Sequence, residues 1–289
     1  MANAIALITK YLANALNTYK VMAEASCTDD LVVSNVEFMG TKAVKVPVIE
    51  FDSYEMGTYS RKDGFAKKDT TLTWEMHELT QDCGDELKID SMDLEESGTT
   101  GIQFYNEYLR RVAVPTIDKY RLKTLSEADD IQTANSTTLT ADNLVDTLDT
   151  AMDNIRNEEI PTESAIMYVP RTSSKLFKNA KGLTKFISEG NWNGRMSSKV
   201  TMYDDAKIVY VPKRRWPSTD VQALIVVPEC QASVVKLQRA KFYEQAPGYD
   251  GSIIDVRIYH DTYVKAERAK GIYLITKAAA QTSGSSPQV

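Results

Sequence analysis

A chain of 289 residues is long enough to bury a sizeable core, and its 43% hydrophobic and 26% charged residues are typical of globular proteins. The net charge of −6 excludes a protein that condenses nucleic acid by neutralising its phosphates. No segment approaches the roughly 18 apolar residues of a membrane span, and no secretory signal opens the chain, so we expect synthesis in a cytosol and no membrane.

The first predicted element is an amphipathic helix at residues 3–25. Its apolar side chains recur every three or four residues, which is the spacing of one helix face. They are Ile5, Ile8, Leu12, Leu16, Tyr19 and Met22. The sequence that follows offers this stripe no evident partner, so we expect the helix to pack on another subunit.

A long two-stranded arm is predicted next, with strands at 44–50 and 70–80. Pro47 cannot donate a ladder hydrogen bond, which favours an edge position for the first strand. The stretch at 52–69 between the strands contains turn glycines and a basic cluster. The cluster is Arg61, Lys62, Lys67 and Lys68. Because an isolated two-stranded ribbon is marginally stable in water, we expect the arm to lie on a neighbouring subunit; a mobile surface loop is the alternative.

The second strand of the arm has a clear two-residue period. Leu72, Trp74 and Met76 alternate with polar residues, as in a strand that is buried on one face. We therefore expect Trp74 to belong to the core of the subunit. The phase of the alternation changes at 77–78, which predicts a bulge or a bend there.

A long helix is predicted at 99–127. Its apolar stripe consists of Ile102, Tyr105, Leu109, Val112, Ala113, Ile117 and Tyr120. Pro115 falls inside this stripe and costs a helix interior roughly 3 kcal/mol, so we expect a bend or two abutting helices at 111–115. Asp93 and Glu96 precede the helix, and acidic residues at a helix N-terminus are favoured by the helix dipole. We prefer this explanation for the two carboxylates over a metal-binding site formed by them.

The second half of the chain mixes strands with short helices. After a polar linker at 128–139, Thr140 is a suitable N-cap for a helix at 141–157. Strands are predicted at 164–169, 206–211, 222–227, 233–239, 253–265 and 271–276, with short helices at 173–180 and after Pro228. This mixed order predicts an α+β fold, and the small polar residues at 281–289 predict a disordered tail.

Residues with catalytic potential are sparse. The chain has two histidines, and His260 precedes Asp261, but adjacent residues on a strand point to opposite faces. No nucleophile elbow, phosphate-binding loop or zinc-protease motif is present. Cys27, Cys83 and Cys230 form no C-x-x-C pair and are expected to be free thiols. We therefore predict no catalytic, cofactor-binding or metal-binding residues.

One compact basic and aromatic segment stands at 213–217. Such a segment can bind phosphates while its tryptophan stacks on a base. We favour instead a loop whose charges meet the carboxylates of a neighbouring subunit. Together with the arm cluster, the predicted intersubunit contacts are Arg61, Lys62, Lys67, Lys68, Arg214, Arg215 and Trp216.

Three segments, taken in their order and spacing, resemble the major capsid proteins of tailed bacteriophages with the Hong Kong ninety-seven-type fold. The first follows L-x-W, D-x-G and I-D-x-M-D-x-x-E, here Leu72, Trp74, Asp82, Gly84, Ile89, Asp90, Met92, Asp93 and Glu96. The second, at 115–121, resembles the P-x-I-D-x-[YF]-R part of the family's long spine helix. The third, at 259–263 and 271–273, is similar to the family's closing strand pair.

The resemblance implies an α+β capsid fold in five parts. An N-terminal arm would span 1–40 and an extended loop 41–80. A peripheral domain with the spine helix would combine 81–139 with 251–277, and an axial domain would span 140–250. Residues 278–289 would form the disordered tail.

The resemblance also implies a structural protein rather than an enzyme. Copies of the chain would form the pentamers and hexamers of an icosahedral shell that encloses double-stranded DNA without sequence-specific binding. A separate scaffolding protein, a portal and a decoration protein would be its partners. Its location would be the virion, after assembly in the host bacterial cytoplasm. The alternatives are an encapsulin-like nanocompartment shell and a cytosolic α+β enzyme of unknown chemistry.

Overall fold

The computed structural model describes most of the chain. The described residues are 26–33, 38–39, 43–51, 56–62, 64–65, 69–93, 101–134, 138–180, 202–243 and 248–277. The predicted helix at 3–25, the tail at 281–289 and both Lys67 and Lys68 lie outside these ranges. None of the helices within the ranges combines the length and the apolar character that crossing a membrane requires.

The described residues form strands, α-helices and short 3-10 helices. The strands are β1 (Phe38–Met39), β2 (Ala43–Phe51), β3 (Thr70–Glu78), β4 (Gln81–Asp90), β5 (Gln132–Ala134), β6 (Ile166–Pro170), β7 (Met202–Tyr203), β8 (Ala206–Val211), β9 (Val221–Val226), β10 (Gln231–Tyr243), β11 (Gly251–Val264) and β12 (Ile272–Thr276). The α-helices are α1 (Gly101–Tyr108), α2 (Val114–Ser126), α3 (Leu144–Asn157) and α4 (Ser174–Asn179). The 3-10 helices are Asp29–Leu31, Arg171–Ser173, Lys213–Arg215, Pro228–Cys230 and Ala266–Gly271.

Within the described ranges these strands build three sheets, in the orders β1-β2-β3, β10-β11-β4 and β5-β12-β9-β6-β8-β7. The third sheet is mixed, because β6 pairs parallel with β8 and antiparallel with β9. Helices and mixed sheets in one chain confirm the predicted α+β class.

The largest core surrounds the six-stranded sheet. Its central strand β9 has fully buried side chains from Ala223 to Val226, as expected for a strand covered on both faces. Helix α3 contributes Leu144, Leu148 and Ile155 to the same core, at the spacing of one helix face. The helix begins at Leu144, three residues later than predicted, because the Thr140 N–H donates to the Asn143 side chain (2.7 Å) and closes a turn before it.

A second core lies between the three-stranded sheet β10-β11-β4 and the long helix. Leu109 and Ile117 pack there with Ile254 and Val256 of β11. A π-helical segment, Leu109–Ala113, separates α1 from α2 and places proline in the first turn of α2, where its missing N–H is tolerated. The predicted interruption at 111–115 is confirmed.

The predicted apolar stripe of this helix is wrong at two positions. Ile102 and Val112 are exposed, whereas Tyr105, Leu109, Ala113 and Ile117 are buried. For Val112 the reason is the π segment, whose wider turn breaks the 3.6-residue spacing on which the stripe was based.

Strand pairing divides the chain differently from the predicted parts. Strand β10, placed by prediction in the axial part 140–250, pairs with β11 beside β4. Strand β12, placed with 251–277, lies between β5 and β9 in the six-stranded sheet. The cause is the long antiparallel pairing of β10 with β11, followed by the 3-10 helix Ala266–Gly271, after which the chain enters the other sheet.

The change in apolar alternation that was noted at 77–78 coincides with the end of β3 at Glu78. Strand β4 begins at Gln81 in a different sheet, so the chain passes between sheets where a bulge or bend was predicted. Strand β5, inside the predicted linker, was not predicted; its three residues pair parallel with β12.

Candidate functional site

The arm predicted at 44–80 is a two-stranded antiparallel ribbon. Strands β2 and β3 each have nine residues and pair from Ala43↔Glu78 to Phe51↔Thr70. Nine extended residues span about 30 Å. Strand β1 pairs only with Ala43 and Val44, so the rest of the described ribbon has two strands.

The root of the arm is packed against β10 and β11. Val44 and Leu79 are buried in one cluster with Ala232 and Val234. His77 stacks on Tyr263, with ring centroids 4.1 Å apart. These contacts fix the direction in which the arm leaves the body.

Asp261 ties the arm root to the long helix. Its carboxylate accepts hydrogen bonds from the Thr80 N–H (2.6 Å), the Thr80 hydroxyl (3.0 Å) and the Tyr120 hydroxyl (2.7 Å). The neighbouring His260 ring meets Tyr120 edge-on at 5.5 Å. Burial, and secondly Arg121, lower the pKa of His260 to about 4, so its imidazole is neutral near pH 7. Its Nδ1 has no hydrogen-bond partner among the described residues, so Nδ1 forms no dyad with Asp261.

Beyond its root, the arm exposes the face predicted to be buried. The exposed fractions of Leu72, Trp74 and Met76 are 55%, 50% and 65%. The expectation that Trp74 belongs to the subunit core is therefore wrong. Its indole has the Lys45 ammonium 5.9 Å from the ring centroid. The ribbon leaves the body of the chain and so leaves this apolar row uncovered, as is typical of interaction surfaces.

The tip of the arm is a tight turn that presents two aromatic rings. Ser60 and Gly64 exchange backbone hydrogen bonds of 3.0 and 2.8 Å, with Gly64 in the left-handed region at φ 79°. The Tyr59 and Phe65 rings lie 5.1 Å apart and are both exposed. Arg61 and Lys62, which were predicted contact residues, are exposed beside them, whereas Lys67 and Lys68 lie outside the described residues.

The predicted contact segment at 213–217 is largely used inside the chain. Trp216 is 7% exposed and its indole N–H donates to the Val221 carbonyl oxygen at 2.7 Å. Arg215 pairs with the buried Asp118 at 2.8 Å. These two residues are therefore not free for a neighbouring subunit, which corrects the prediction; Arg214 is exposed.

Asp118 is the centre of a buried polar cluster that the sequence did not reveal. One carboxylate oxygen accepts from the Ser26 and Thr28 hydroxyls, each at 2.6 Å. The other accepts from the Cys27 N–H at 3.1 Å and from Arg215. Burial, and secondly Asp118, raise the pKa of the Cys27 thiol to about 12. The cluster joins the first described segment to α2 and to the loop that precedes β9.

A cavity of about 400 Å³ lies between the π segment and strands β4 and β11; we call it the spine groove. Its lining is Asp82, Cys83, Gly84, Asp85, Tyr108, Val112, Ala113, Thr116, Ile117, Val256, Ile258 and His260. The Tyr108 hydroxyl donates to Asp85 across it. Among the described residues, no three side chains of metal-ligating type converge in a way that could hold an ion.

Sequence comparisons find no match, whereas structural comparisons find solved structures with a similar fold. No protein-family model matches the chain, and no curated protein matches it in sequence. The chain is similar to the capsid structure of the cyanophage P-SCSP1u, at 13% identity over 89% of each chain and a TM-score of 0.65. It is similar to a structure from Mycobacterium phage Cain, at 13% identity over 88% of this chain and 91% of that one, with a TM-score of 0.61.

A third similar structure is the virus-like particle from Pyrococcus furiosus, at 12% identity over 89% of this chain and 95% of that one, with a TM-score of 0.56. These likenesses extend over most of both chains at very low identity, so they establish the fold. The fold is the Hong Kong ninety-seven-type fold of phage capsid proteins.

Proposed function

We propose that the protein is the major capsid protein of a tailed bacteriophage and assembles into an icosahedral shell around double-stranded DNA. The observation that carries the proposal is the arm. It is a ribbon about 30 Å long with an exposed row of Leu72, Trp74 and Met76, on a body with a capsid-type fold. A second copy of the chain is the partner that such a fold supplies.

The arm makes a solitary subunit an incomplete structure. Two-stranded ribbons are marginal in water unless a hydrophobic face packs on something, and here the described part of the chain leaves that face open. An exposed apolar strand is also a hazard for aggregation. Burial against a neighbouring subunit resolves both problems, so arm contacts are proposed to hold neighbouring subunits together.

The other parts of the molecule are assigned from strand pairing. The sheet β10-β11-β4 with α1 and α2 would be the peripheral domain and its spine. The six-stranded sheet with α3 and α4 would be the axial domain that faces the centres of pentamers and hexamers. The predicted N-terminal arm, 1–40, would be shorter and end before Ser26, because Ser26 and Thr28 bond to Asp118 and Leu31 lies in the main core of the subunit.

The partners proposed are those of a phage head. They are further copies of the chain, a scaffolding protein, a portal and a decoration protein, with assembly in the host bacterial cytoplasm. The net charge of −6 suits a wall that encloses DNA without gripping it. The role is structural and not enzymatic, in keeping with a neutral, buried His260 and a polar cluster that joins elements of the fold.

An encapsulin-like compartment is the less supported reading. Two of the three similar structures described above come from phages, and the third is a virus-like particle. The contents of purified particles separate the two readings, because a phage head packages DNA and a compartment encloses a protein cargo.

The test is assembly of the full chain, followed by size-exclusion chromatography and negative-stain microscopy, alone and with a scaffolding protein. We expect closed particles of uniform size. A chain that remains monomeric under all these conditions contradicts the proposal. The double variant Arg61→Glu with Lys62→Glu should assemble poorly, since like charges across an interface are costly. The control, Arg61→Lys with Lys62→Arg, keeps both positive charges at the same positions and should assemble normally.

A further inference from the structure

Three side chains of β11 contact the root of the arm. They occupy alternate positions of the strand and so project to the same side of it. They are Tyr259, whose hydroxyl donates to the Leu79 carbonyl oxygen at 2.8 Å, Asp261, which accepts from Thr80, and Tyr263, which stacks on His77. Asp261, the middle one, also accepts from Tyr120 of α2. It therefore joins the arm to the long helix as well as to the sheet.

The Asp261 carboxylate is fully engaged as an acceptor. One oxygen accepts from the Thr80 N–H and hydroxyl, and the other accepts from the Tyr120 hydroxyl and from the Thr262 N–H at 2.7 Å. A carboxylate has about four acceptor sites, so these four donors occupy all of them. The side chain is 7% exposed. Hydrogen bonds to an ionised group are stronger than neutral ones, and shielding from water strengthens them further.

Asp261 stands where the chain leaves the sheet β10-β11-β4. The backbone pairing of β4 with β11 ends at Gln81↔His260. The next N–H toward the arm is that of Thr80, and the Asp261 side chain binds it. From this point onward, side-chain contacts determine the direction of the arm relative to the sheet.

The contacts of the arm root differ in how strongly they resist a rotation of the arm. The root packs with β10 through the apolar cluster described above, and apolar burial is non-directional. The Tyr259 bond fixes one point, about which the arm can still turn. Hydrogen bonds weaken steeply when their angle departs from linearity. The bonds of Asp261 to Thr80 and Tyr120 therefore oppose a rotation that the apolar packing tolerates.

The length of the arm amplifies any rotation at its root. The arm strands span about 30 Å, so a rotation of about 10° displaces their far end by about 5 Å. Where arms link neighbouring subunits, the same rotation changes the angle between those subunits. Contacts between different surfaces of two copies close only when the rotation between the copies fits. Particles of one size therefore require one arm angle.

We propose that Asp261 is the positioning residue that fixes the angle between the arm and α2 and, through this angle, the diameter of the assembled particle. The inference rests on the proposed shell function. It adds to that function the residue that sets the curvature of the shell.

Distances between two spin labels in the free subunit test the arm angle. The labels are attached at Thr73→Cys in the arm and at Lys123→Cys on α2, both exposed positions, and Cys83→Ser removes the exposed native thiol. Burial raises the pKa of the Cys27 thiol to about 12 and that of Cys230 to about 11, which suppresses their labelling. Pulsed electron paramagnetic resonance gives the width of the distance distribution.

Asp261→Ala removes all four hydrogen bonds of the carboxylate. We expect it to at least double the width of the distance distribution, measured well below the melting temperature. A residue that only stabilises the fold would change the melting temperature and leave this width as in the wild type. A wild-type width in folded Asp261→Ala overturns the proposal.

A conservative pair of variants covers the case in which Asp261→Ala does not fold. Tyr120→Phe keeps the ring and removes the hydroxyl that joins Asp261 to α2, so it should broaden the distribution. Tyr263→Phe is the matched control, because it removes a hydroxyl at the same arm root and leaves the Asp261 bonds and the stack on His77 in place. Equal widths in the two variants overturn the proposal.

The diameters of assembled particles test the effect on the shell. Asp261→Ala keeps the exposed row Leu72, Trp74 and Met76, so the subunits should still associate. We expect the spread of particle diameters in electron micrographs to be at least twice that of the wild type. Uniform particles of wild-type diameter overturn the proposal. If Asp261→Ala forms no particles, Tyr120→Phe and Tyr263→Phe are compared instead, and equal spreads overturn it.

The two measurements separate this inference from the shell function on which it rests. Failure of the wild-type chain to form particles contradicts the shell function, and with it the effect of Asp261 on particle diameter. The label distances are measured in the free subunit and do not depend on assembly. Uniform wild-type particles together with unchanged label distances in the variants contradict the role of Asp261 alone.

Discussion

Strands β9 and β3 both contain apolar side chains, at five of six positions in β9 and three of nine in β3, and these side chains have opposite fates in the structure. Ala223 to Val226 of β9 are fully buried between neighbouring strands and helices of the same chain. Leu72, Trp74 and Met76 of β3 are at least half exposed. Apolar periodicity therefore does not distinguish a strand face that its own subunit buries from one that its own subunit leaves exposed.

The two regions should differ in what a substitution changes. A residue in the six-stranded core contributes to the folding of each subunit, because its contacts are lost when that subunit unfolds. On the proposed function, a residue on the arm contributes to the association of subunits, and its contacts are absent both in the unfolded chain and in the free subunit. The predictions that follow compare these two contributions, ordered by their effect on the free subunit.

Asp118→Ala should cause the largest loss. The carboxylate is fully buried and pairs with Arg215 while it also accepts from Ser26 and Thr28. Removal leaves the largely buried Arg215 cation without its partner, and breaking a buried pair in this way typically costs up to about 3–5 kcal/mol. Denaturant unfolding of the free subunit measures this loss.

The control for Asp118 is Asp82→Ala, which removes a carboxylate from an exposed pair with Arg257. Surface pairs contribute only about 0–1 kcal/mol. Equal effects of the two substitutions would show that the Asp118 cluster does not hold the fold together.

The same substitution in the core and in the arm gives a direct comparison. Leu148→Ala removes a fully buried side chain of α3, at a typical cost of about 2–5 kcal/mol. Leu72→Ala should change the unfolding free energy of the subunit by less than about 0.5 kcal/mol, as at other exposed positions. Thermal melts of unassembled protein measure both. A comparable loss in both variants would mean that the arm is folded onto its own subunit.

His260 makes the unfolding free energy of the subunit depend on pH. The unfolded chain binds a proton near pH 6.5, whereas the folded chain keeps the imidazole neutral until about pH 4. Burial is the main cause and Arg121 the second; Asp261 acts in the opposite direction, and the Tyr120 ring that meets the imidazole is neutral in this range. Between these pH values the unfolded state binds more protons. Stability present above pH 6.5 should therefore be lost as the pH falls to about 4, by up to about 3 kcal/mol.

His260→Gln isolates this contribution, because the carboxylates titrate in both proteins. The slope of unfolding free energy against pH, between about pH 4 and 6.5, should be smaller in the variant than in the wild type. Parallel slopes would show that His260 is solvated in the folded subunit. The comparison uses slopes, since a change of side chain at a buried site also alters the absolute stability.

The sequence predicts the elements of this fold better than their partners. The strand predicted at 222–227 is observed at Val221–Val226, and the helix interruption near Pro115 is real, because local periodicity and proline chemistry determine both. The pairing of Asp118 with Arg215 joins residues 97 positions apart. No local pattern distinguishes such a buried ion pair from surface charge, and so 213–217 was assigned to the surface.

The candidate site was predictable only in part, for a related reason. Arg61 and Lys62 were predicted at an exposed tip, and they are there. The spine groove was not predicted, because it combines β4, the π segment and β11, which are distant in sequence. The register of the π segment, which exposes Val112 and buries Ala113, depends on helix geometry that a regular 3.6-residue stripe does not contain.

Trp74→Ala should have a small effect on the free subunit and a large effect on the particle. Half of the Trp74 surface is exposed, and its described cation contact is with Lys45 at 5.9 Å. An exposed contact of this kind contributes about 0.5–1 kcal/mol, which corresponds to a shift of only a few degrees in a protein of this size. In an assembled shell the same indole would be covered by a neighbour, and truncating a central interface tryptophan often costs ~2–4 kcal/mol of binding free energy.

Thr73→Ala, on the opposite face of β3, is the matched control and should leave both melting and assembly unchanged. Thermal melts of unassembled protein and the concentration needed for particle formation are measured side by side. A drop of ten degrees or more for Trp74→Ala would place the indole in the subunit core, whereas normal assembly with normal melting would show that another part of the arm makes the contact.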